Sequence, residues 1–133
     1  MSDKTMHVEL VAADRLVWSG EATRVIARTT EGDVGILPDH APMLSLMVDG
    51  IVDVITAEGE TWIAAVDAGF LSVAANRISI LSEHAEMAHD IDLERARADL
   101  DRARTAGELL NEAEDAAAKA WAEARIRAVE HSR

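Results

Sequence analysis

The sequence predicts an all-β N-terminal sandwich or barrel of about eight to ten strands, followed by a C-terminal α-helical antiparallel hairpin. From position 6 to position 87 the apolar residues recur mostly at every second position, which is the period of half-buried strands. From Asp90 onward they recur at three- and four-residue steps, which is the period of a helix. We therefore expect a β domain over residues 1–89 and a helical domain over residues 90–133.

The strand region combines alternation with closely spaced turns. The clearest alternating runs have as their apolar members Val8, Leu10 and Ala12, then Val25 and Ala27, then Trp62, Ala64 and Val66. The runs are separated by pairs of residues that favour turns, namely Ser19-Gly20, Glu31-Gly32, Asp49-Gly50, Glu58-Gly59, Ala68-Gly69 and Ala75-Asn76. Many short strands at such spacing are typical of an antiparallel sandwich or barrel.

One connection in the β region, residues 31–42, is unusually constrained. It reads Glu-Gly-Asp-Val-Gly-Ile-Leu-Pro-Asp-His-Ala-Pro and contains both prolines of the chain. Pro38 and Pro42 fix φ, remove two amide donors and favour extended conformations at the residues before them. Gly32 and Gly35 accept positive φ at little cost, which suits a tight reversal or a close backbone approach. We expect a stiff, shaped connection between strands and not a flexible loop.

The C-terminal region contains two helical stripes. Asp92 is a suitable N-cap for the first helix, and Glu94 adds negative charge to its first turn. The first stripe consists of Leu93, Ala96, Leu100, Ala103, Gly107 and Leu110. The second consists of Ala113, Ala117, Ala120, Ala124 and Ala128, with Trp121 beside it. A break is expected between Thr105 and Asn111, and two helices joined by a short connection pack antiparallel.

The alanine-rich second stripe has an energetic consequence. Alanine has the highest helix propensity, so both helices should be favourable in isolation. Alanine also removes little apolar surface from water, at roughly 25 cal/mol per Å². The hairpin should therefore dock only moderately on the sandwich and could leave it without melting entirely. A permanently docked hairpin is the alternative.

Composition excludes several classes of protein. The formal net charge of −12 argues against a nucleic-acid partner and against direct binding to anionic lipid, because both need a basic surface. No apolar run approaches the roughly 20 residues needed to cross a bilayer, so we expect no direct membrane insertion. The N-terminus shows no secretory signal, and the absence of cysteine excludes disulfides and thiolate metal sites. We expect a soluble, cytoplasmic protein.

Catalytic motifs are missing from the sequence. His84, Glu86, His89 and Asp90 cluster near the end of the β region, and a small metal-dependent enzyme built on them is one alternative. The two histidines are five positions apart, however, which suits neither one helical face nor one strand face. The chain contains no Gly-x-Ser-x-Gly elbow and no glycine-rich phosphate loop ending in Gly-Lys-Ser/Thr. We therefore expect no catalytic residues, no metal site and no required cofactor.

Segment 31–42 resembles the GxxGILPxHAP signature of the epsilon subunit of F-type ATP synthases. Further matching pieces lie in register on both sides, and they are Asp14-Arg15, Val17-Trp18-Ser19-Gly20, Gly69-Phe70-Leu71-Ser72-Val73, Asn76-Arg77-Ile78-Ser79-Ile80-Leu81 and Ile91-Asp92-Leu93-Glu94-Arg95-Ala96. The resemblance implies a non-catalytic rotor subunit of the central stalk, peripheral at the cytoplasmic face of the cell membrane, that helps couple proton translocation to ATP synthesis. It also implies contacts with the gamma subunit, the c-ring and, through the hairpin, the alpha/beta catalytic head.

The hairpin of this family acts as a switch. Folded against the sandwich it permits turnover, and extended into the catalytic head it blocks rotation in the hydrolysis direction. Here the residues from Asp90 onward include 8 Lys/Arg and 11 Asp/Glu, a net charge of −3. Inhibition in the family uses basic helix residues against acidic loops, so attraction in this chain would depend on local patches such as Arg125 and Arg127.

The first helix carries a ladder of charges that allows two interpretations. Asp92, Arg95, Asp99 and Arg102 follow one another at three- and four-residue steps, and each surface ion pair would contribute about 0.2–0.5 kcal/mol. The resemblance implies instead a regulatory ATP site. In some bacterial epsilon subunits an Ile/Leu-Asp-x-x-Arg-Ala motif holds ATP against the folded hairpin.

Ile91, Asp92, Arg95 and Ala96 match that ATP motif, and Glu86 and Arg102 occupy corresponding positions. The nucleotide site that the resemblance implies consists of Glu86, Ile91, Asp92, Arg95, Arg102 and Arg125. Arginine suits this role because its planar donor fork matches phosphate oxygens. The second helix departs from the family pattern, because Trp121 and Val129 stand one turn on either side of Arg125 where a second arginine would be expected.

The resemblance also implies two docking residues in segment 31–42. Asp33 lies at the position that faces the polar loops of the c-ring, and His40 lies at a position close to the gamma subunit. Their alternatives are a turn carboxylate and a loop histidine that bonds to backbone. A free-standing ATP-sensing module is the alternative function, and tight nucleotide binding without affinity for gamma would favour it.

Overall fold

The computed structural model describes residues 4–106 and 112–132. It contains nine strands followed by two helices, which confirms the predicted fold class. The elements are β1 (Met6–Ala12), β2 (Arg15–Thr29), β3 (Gly32–Ile36), β4 (Met43–Met47), β5 (Gly50–Thr56), β6 (Thr61–Val66), β7 (Gly69–Ala74), β8 (Arg77–Ser82), β9 (Ala85–Met87), α1 (Leu93–Ala106) and α2 (Glu112–Ser132). A 3₁₀ turn, Ala88–Asp90, joins the last strand to the helices.

Strand β2 connects the two layers of the sandwich. Its first half pairs with β1, and its second half pairs with β3 on one side and β5 on the other. The strand order is β1-β8-β7-β4-β2-β5-β6-β9, with β3 attached to β2. Strands β1 and β8 run parallel, which the prediction of an antiparallel sandwich did not include.

The main core lies between the layers, where the predicted alternation is confirmed. Val8, Leu10 and Ala12 are buried, whereas their neighbours on the outer face are only half-buried. Strand β6 differs, because Ile63, Ala64, Ala65 and Val66 are all buried. A strand in an antiparallel sheet is buried on both faces only when another element covers its outer face. In this chain that element is α2, which packs against β5 and β6.

Segment 31–42 divides into a strand and a turn. Gly32 adopts a φ of 111°, as a tight reversal requires. Gly35 instead pairs with Ile26 as an ordinary strand residue, and a Cβ there would meet no atom within 4 Å, so the prediction of a special glycine was wrong at this position. A β-turn follows, in which the amide of His40 donates to the carbonyl of Leu37 at 3.2 Å.

The helix N-cap at Asp92 is confirmed. Its Oδ1 accepts a hydrogen bond from the amide of Arg95 at 3.1 Å, and helix α1 begins at the next residue. The predicted break falls mostly outside the described residues, which omit Gly107, Leu110 and Asn111, and the side chain of Ala113 is likewise not described.

The two predicted stripes differ in how well they match the structure. Ala96 and Ala103 of α1 are buried, as expected, and so are Ala124 and Ala128 of α2. Ala117 is exposed, so the prediction was wrong for this early part of the second stripe. The physical reason is that Ala117 lies beside the ends of β5 and β6, where it lines an open groove with Asp49, Asp67 and Ala68.

A second, smaller core holds the hairpin to the sandwich. Its buried members are Ile63, Ala65, Ala88, Ala124 and Ala128, and three of the five contribute only a methyl group from α2 or the 3₁₀ turn. Helix α1 packs against α2. Because each alanine buries little apolar area, this core is weaker per residue than the main one. Among the described residues, the helices are too short or too polar to cross a membrane.

Candidate docking surface and hairpin interface

Five apolar side chains form a continuous line across the outer face of the sheet. Leu46 on β4 pairs with Phe70 on β7, and Phe70 pairs in turn with Leu81 on β8. Leu81 lies beside Val11 on β1, and Val11 lies beside Leu16 on β2. Directly paired residues point to the same face of a sheet, so these side chains are neighbours. We call them the apolar row.

Most of the apolar row is open to solvent. Four of its members are exposed, and Val11 is half-buried. Leu44, two positions before Leu46 and therefore on the same face, is 73% exposed. Contiguous exposed apolar surface of this kind marks a site of protein–protein contact. The rigid sheet beneath it holds the side chains in place before any partner binds.

Sequence analysis did not find the apolar row, although one signal was available. Strand β4 reads Met-Leu-Ser-Leu-Met, with apolar residues on both faces. A strand with one solvated face normally alternates apolar with polar residues. Leu44 and Leu46 break that rule on the outer face, and such a break predicts that something covers the strand.

The turn between β3 and β4 is tied to the turn between β7 and β8. Asp39 and Asn76 both adopt positive φ, at 67° and 60°. The amide of Asp39 donates to Oδ1 of Asn76 at 2.6 Å, and Nδ2 of Asn76 donates to Oδ1 of Asp39 at 3.1 Å. The ammonium of Lys4 lies 2.7 Å from Oδ2 of Asp39, and these two partners together lower the pKa of the Asp39 carboxyl, Lys4 more than Asn76. The connection is therefore held in shape by specific bonds as well as by its prolines.

Of the two predicted docking residues, Asp33 lies on the strand before the turn between β3 and β4, and His40 lies in that turn. Asp33 is on β3, with its side chain 73% exposed and 3.9 Å from Nε of Arg28. His40 is half-buried, and its Nδ1 donates to the carbonyl of Ala41 at 2.7 Å. Asp33 can therefore contact a polar partner with the loss of only its long ion pair to Arg28. The ring of His40 is instead held in one orientation by its bond to the neighbouring backbone.

A buried arginine connects α2 to both α1 and the sandwich. Arg125 is only 8% exposed. Its Nη1 donates to Oδ2 of Asp99 on α1 at 2.9 Å, and its Nε lies 3.0 Å from Oε1 of Glu86 on β9. A buried charge is costly unless it is paired, so both carboxylates are needed to hold the guanidinium there. We call this set of three residues the Arg125 bridge.

The contact of Arg125 with Glu86 is electrostatic rather than a well-formed hydrogen bond. Nε has no aligned hydrogen-bond acceptor among the described residues, although Oε1 of Glu86 is 3.0 Å away. Distance sets the Coulomb attraction even where the angle is poor. Arg102 also forms an ion pair with Asp99, so this carboxylate serves two guanidinium groups.

The structure brings together three of the six residues assigned to the ATP motif. Glu86, Arg102 and Arg125 meet through the Arg125 bridge and Asp99. The other three lie at the start of α1, where Ile91 packs on the second core, Asp92 caps the helix and Arg95 is exposed. Asp99, which the sequence analysis placed only in the charge ladder, is the shared centre of the observed contacts.

Of the four candidate metal residues, only His89 and Asp90 contact each other, with Nε2 of His89 3.5 Å from Oδ1 of Asp90. Nδ1 of His84 lies 2.7 Å from Oδ2 of Asp67, and the ring of His89 packs edge-on against Trp62 with centroids 5.3 Å apart. Glu86 belongs to the Arg125 bridge. Across the part of the chain that the structure describes, acidic and histidine side chains form no group suited to hold a metal ion.

An exposed apolar row on a rigid sandwich, together with a separately held helical hairpin, is the arrangement of a protein-binding subunit. Residues 5–88 match the family described as the ATP synthase Delta/Epsilon chain, beta-sandwich domain. The chain belongs to this family. It is 52% identical over 124 residues to the ATP synthase epsilon chain of Streptomyces avermitilis, covering 93% of this chain and 94% of that one. It is 48% identical over 128 residues to that of Rhodococcus jostii, covering 96% and 98%.

Solved structures share the fold at much lower identity. A chain in the Euglena gracilis mitochondrial ATP synthase assembly of OSCP, F1 and c-ring matches with a TM-score of 0.70 and 22% identity, covering 95% of this chain and 78% of that one. A chain in the central stalk and c-ring of the Tetrahymena thermophila mitochondrial enzyme matches with a TM-score of 0.62 and 18% identity, covering 99% and 98%. The likeness includes both the sandwich and the hairpin, since nearly the whole chain is covered.

Proposed function

We propose that this chain is the epsilon subunit of a bacterial F-type ATP synthase, a non-catalytic part of the rotor that helps couple proton translocation to ATP synthesis. The observation that carries the proposal is its identity of about one half to bacterial epsilon chains over nearly its full length. As part of that complex it would be peripheral at the cytoplasmic face of the cell membrane. It takes no part in making or breaking the bonds of ATP. Its role is to transmit torque within the rotor and to regulate ATP hydrolysis.

The apolar row supports the gamma subunit as the main partner. Its five side chains need an apolar partner surface to cover them, and the gamma subunit is the partner that membership of the epsilon family implies. Asp33, exposed on β3, would face the polar loops of the c-ring, and His40 would lie close to gamma. The bonds between Asp39 and Asn76 support this arrangement, because they preorganise the turn that carries His40 and follows the strand of Asp33.

Co-purification tests the proposal most directly. Expressed together, the full chain and a gamma subunit from the same kind of bacterium should purify as an equimolar complex. Nucleotide should not be needed for its assembly, because the apolar row is preformed. A chain that binds ATP tightly and ignores gamma would overturn the proposal in favour of the free-standing ATP-sensing module.

We propose a division of labour between residues 1–89, which dock on the rotor, and residues 90–133, which regulate. Docked on β5 and β6, the hairpin does not enter the catalytic head and permits turnover of the enzyme. Released, it would extend towards the alpha and beta subunits and oppose hydrolysis. The alanine-lined second core supports this switch, because the interface that must open buries little apolar surface.

Truncation tests the regulatory part. A chain ending at Asp90 should still assemble with gamma, because the apolar row lies wholly on the strands. Assembled enzyme carrying it should hydrolyse ATP several-fold faster than the full-length form, since no inhibitory state remains to be populated. Equal hydrolysis rates under all nucleotide conditions would show that the hairpin is not an inhibitor here.

Regulatory ATP would have to compete with an internal carboxylate. Glu86, Arg102 and Arg125 lie together, but Asp99 already accepts from both arginines. Phosphate oxygens at this place would therefore replace Asp99 rather than enter an empty site. Ile91, Asp92 and Arg95 would complete the ATP site from the start of α1. ATP would favour the docked hairpin only to the extent that it binds that state better than the released one.

A further inference from the structure

Asp99 joins the two helices of the hairpin through both oxygens of its carboxylate. Oδ1 accepts a hydrogen bond from Nη2 of Arg102, one turn further along α1, and Oδ2 accepts one from Nη1 of Arg125 on α2 at 2.9 Å. One carboxylate therefore serves two guanidinium groups that come from different helices. A phosphate group can bridge two arginines in the same way, because each of its terminal oxygens is a charged acceptor.

We propose that Asp99 is an internal substitute for nucleotide phosphate, so that in this chain the hairpin docks without ATP and binds ATP only weakly. The inference rests on the proposed function, because it concerns the regulatory ATP site that the family resemblance implies. The chain carries arginines that such a site needs, and it also carries the acidic side chain that occupies them. Removal of this carboxylate should make docking of the hairpin respond to ATP.

The burial of Arg125 makes this competition direct. Arg125 is 8% exposed, so its guanidinium has little surface left for a ligand. Its Nη1 donates to Asp99, and its Nε lies 3.0 Å from Oε1 of Glu86 on β9. A phosphate oxygen can therefore reach Arg125 only where the carboxylate of Asp99 now lies. The two negative groups would repel each other if they shared this place, so one must replace the other.

The guanidinium of Arg125 is not fully satisfied by the contacts it makes. Its Nε is buried and has no aligned hydrogen-bond acceptor among the described residues. A buried donor without an acceptor destabilises the state that contains it. Asp99 has two oxygens, and both already accept hydrogen bonds. A terminal phosphate has three oxygens, so it has an acceptor for Arg102, for Nη1 of Arg125 and for Nε.

The balance of charge in these contacts gives the reason for weak binding by the wild-type chain. The guanidinium groups of Arg102 and Arg125 face the carboxylates of Asp99 and Glu86, so the four groups together are neutral. A triphosphate gains little Coulomb energy from a neutral set of side chains. Without the carboxylate of Asp99, two positive groups face one negative group, and the attraction for phosphate increases.

The consequence for regulation is that the chain itself supplies the groups that hold the hairpin. Asp99 on α1 and Glu86 on β9 hold Arg125 between them, and no nucleotide is needed for this contact. A ligand shifts an equilibrium only if it binds one state better than the other. Without Asp99, ATP would bind the docked state better, because only that state brings α1, α2 and β9 together.

The experiment compares two substitutions of Asp99 with one of its neighbour in the full chain. Asp99→Asn removes the charge and keeps the shape of the side chain. Asp99→Ala opens more space without weakening α1, because alanine has the highest helix propensity. Asp101→Asn is the matched control, because it removes the same charge from an exposed position two residues further along α1. Titration calorimetry measures the binding of ATP and of adenosine to each chain.

Both Asp99 variants should bind ATP about tenfold more tightly than the wild type or Asp101→Asn, which is the effect of one charge-assisted hydrogen bond at a partly exposed site. Adenosine should show no such gain, because it has no phosphate. Adding Arg102→Gln to Asp99→Ala should remove most of the gain, since the phosphate then loses one guanidinium. Arg102 is 71% exposed, so this further substitution leaves the cores intact.

The docked fraction is measured in the same variants by the distance between two labels. The sequence contains no cysteine, so Glu58→Cys on the sandwich and Lys119→Cys on α2 supply the only thiols. ATP should raise the docked fraction of both Asp99 variants and leave that of the wild type and of Asp101→Asn unchanged.

Three results would overturn the proposal. They are equal ATP affinity of the wild type and both Asp99 variants, a wild-type hairpin whose docked fraction rises with ATP, and a gain in affinity that survives Arg102→Gln. The apolar row lies on the strands, so binding of gamma to the same variants tests the proposed function independently of Asp99.

Discussion

Phe70→Asp is expected to abolish stable binding of this chain to the gamma subunit while leaving the sandwich folded. Phe70 occupies the middle of the apolar row and pairs with Leu46 on one side and Leu81 on the other. Large aromatic residues at the centre of an interface contribute about 2–4 kcal/mol each, which corresponds to a loss of affinity of about 30- to 1,000-fold. A buried, unpaired carboxylate would add to that cost.

A matched control uses the same strand and the same face. Ala74→Asp introduces the same charge four positions further along β7, outside the apolar row, at a residue that is also exposed. Titration calorimetry with purified gamma should show near wild-type affinity for this variant. Thermal unfolding should be almost unchanged for both variants, since neither side chain belongs to a core. Equal binding by Phe70→Asp and wild type would show that gamma docks elsewhere.

Arg125→Met is expected to weaken hairpin docking by about 2–3 kcal/mol, which is less than for a fully buried ion pair because Glu86 and Asp99 remain 29% exposed. Methionine keeps much of the buried volume but leaves both carboxylates without their common guanidinium. In the assembled enzyme, a hairpin released more often should lower the rate of ATP hydrolysis.

Arg127→Met is the matched control, because it removes the same charge from an exposed position two residues further along α2. Distances measured between one label on the sandwich and one label on α2 should show a much larger released fraction for Arg125→Met than for Arg127→Met. Adding Glu86→Gln to Arg125→Met should restore part of the docking, because the unpaired carboxylate of Glu86 is then removed while Asp99 keeps its ion pair with Arg102. Equal docking in both arginine variants would exclude the Arg125 bridge as the main polar contact.

Much of the fold could be predicted because its signals are local. Alternation such as Val8, Leu10 and Ala12 depends only on the strand period, and it correctly assigned the residues of the main core. The N-cap at Asp92 was predictable for the same reason, since a capping side chain bonds to its own helix. The predictions of a special glycine at Gly35 and of a buried alanine at Ala117 were wrong for a non-local reason. The environment of each residue depends on which element of the fold lies beside it.

The candidate site was predictable in its parts but not in its connections. Resemblance to a family selected Glu86, Arg102 and Arg125, of which Glu86 contacts Arg125 directly and Arg102 is joined to Arg125 only through Asp99. Nothing in the sequence showed that Asp99 would join the two arginines, because Asp99 and Arg125 are 26 positions apart. The exposure of Phe70 was equally hidden, since an apolar residue in a strand is by default assigned to the core.

Local sequence determined the nine strands, the two helices, the constrained turn and the family, because strand period, helix period and motif are properties of neighbouring residues. Tertiary structure alone decided that the apolar row is continuous, that Arg125 is buried between two carboxylates and that α2 covers the outer face of β6. Each of these depends on register between strands or on the approach of α2 to the sheet. Such long-range pairings are set by the free energy of the whole fold, and no short segment encodes them.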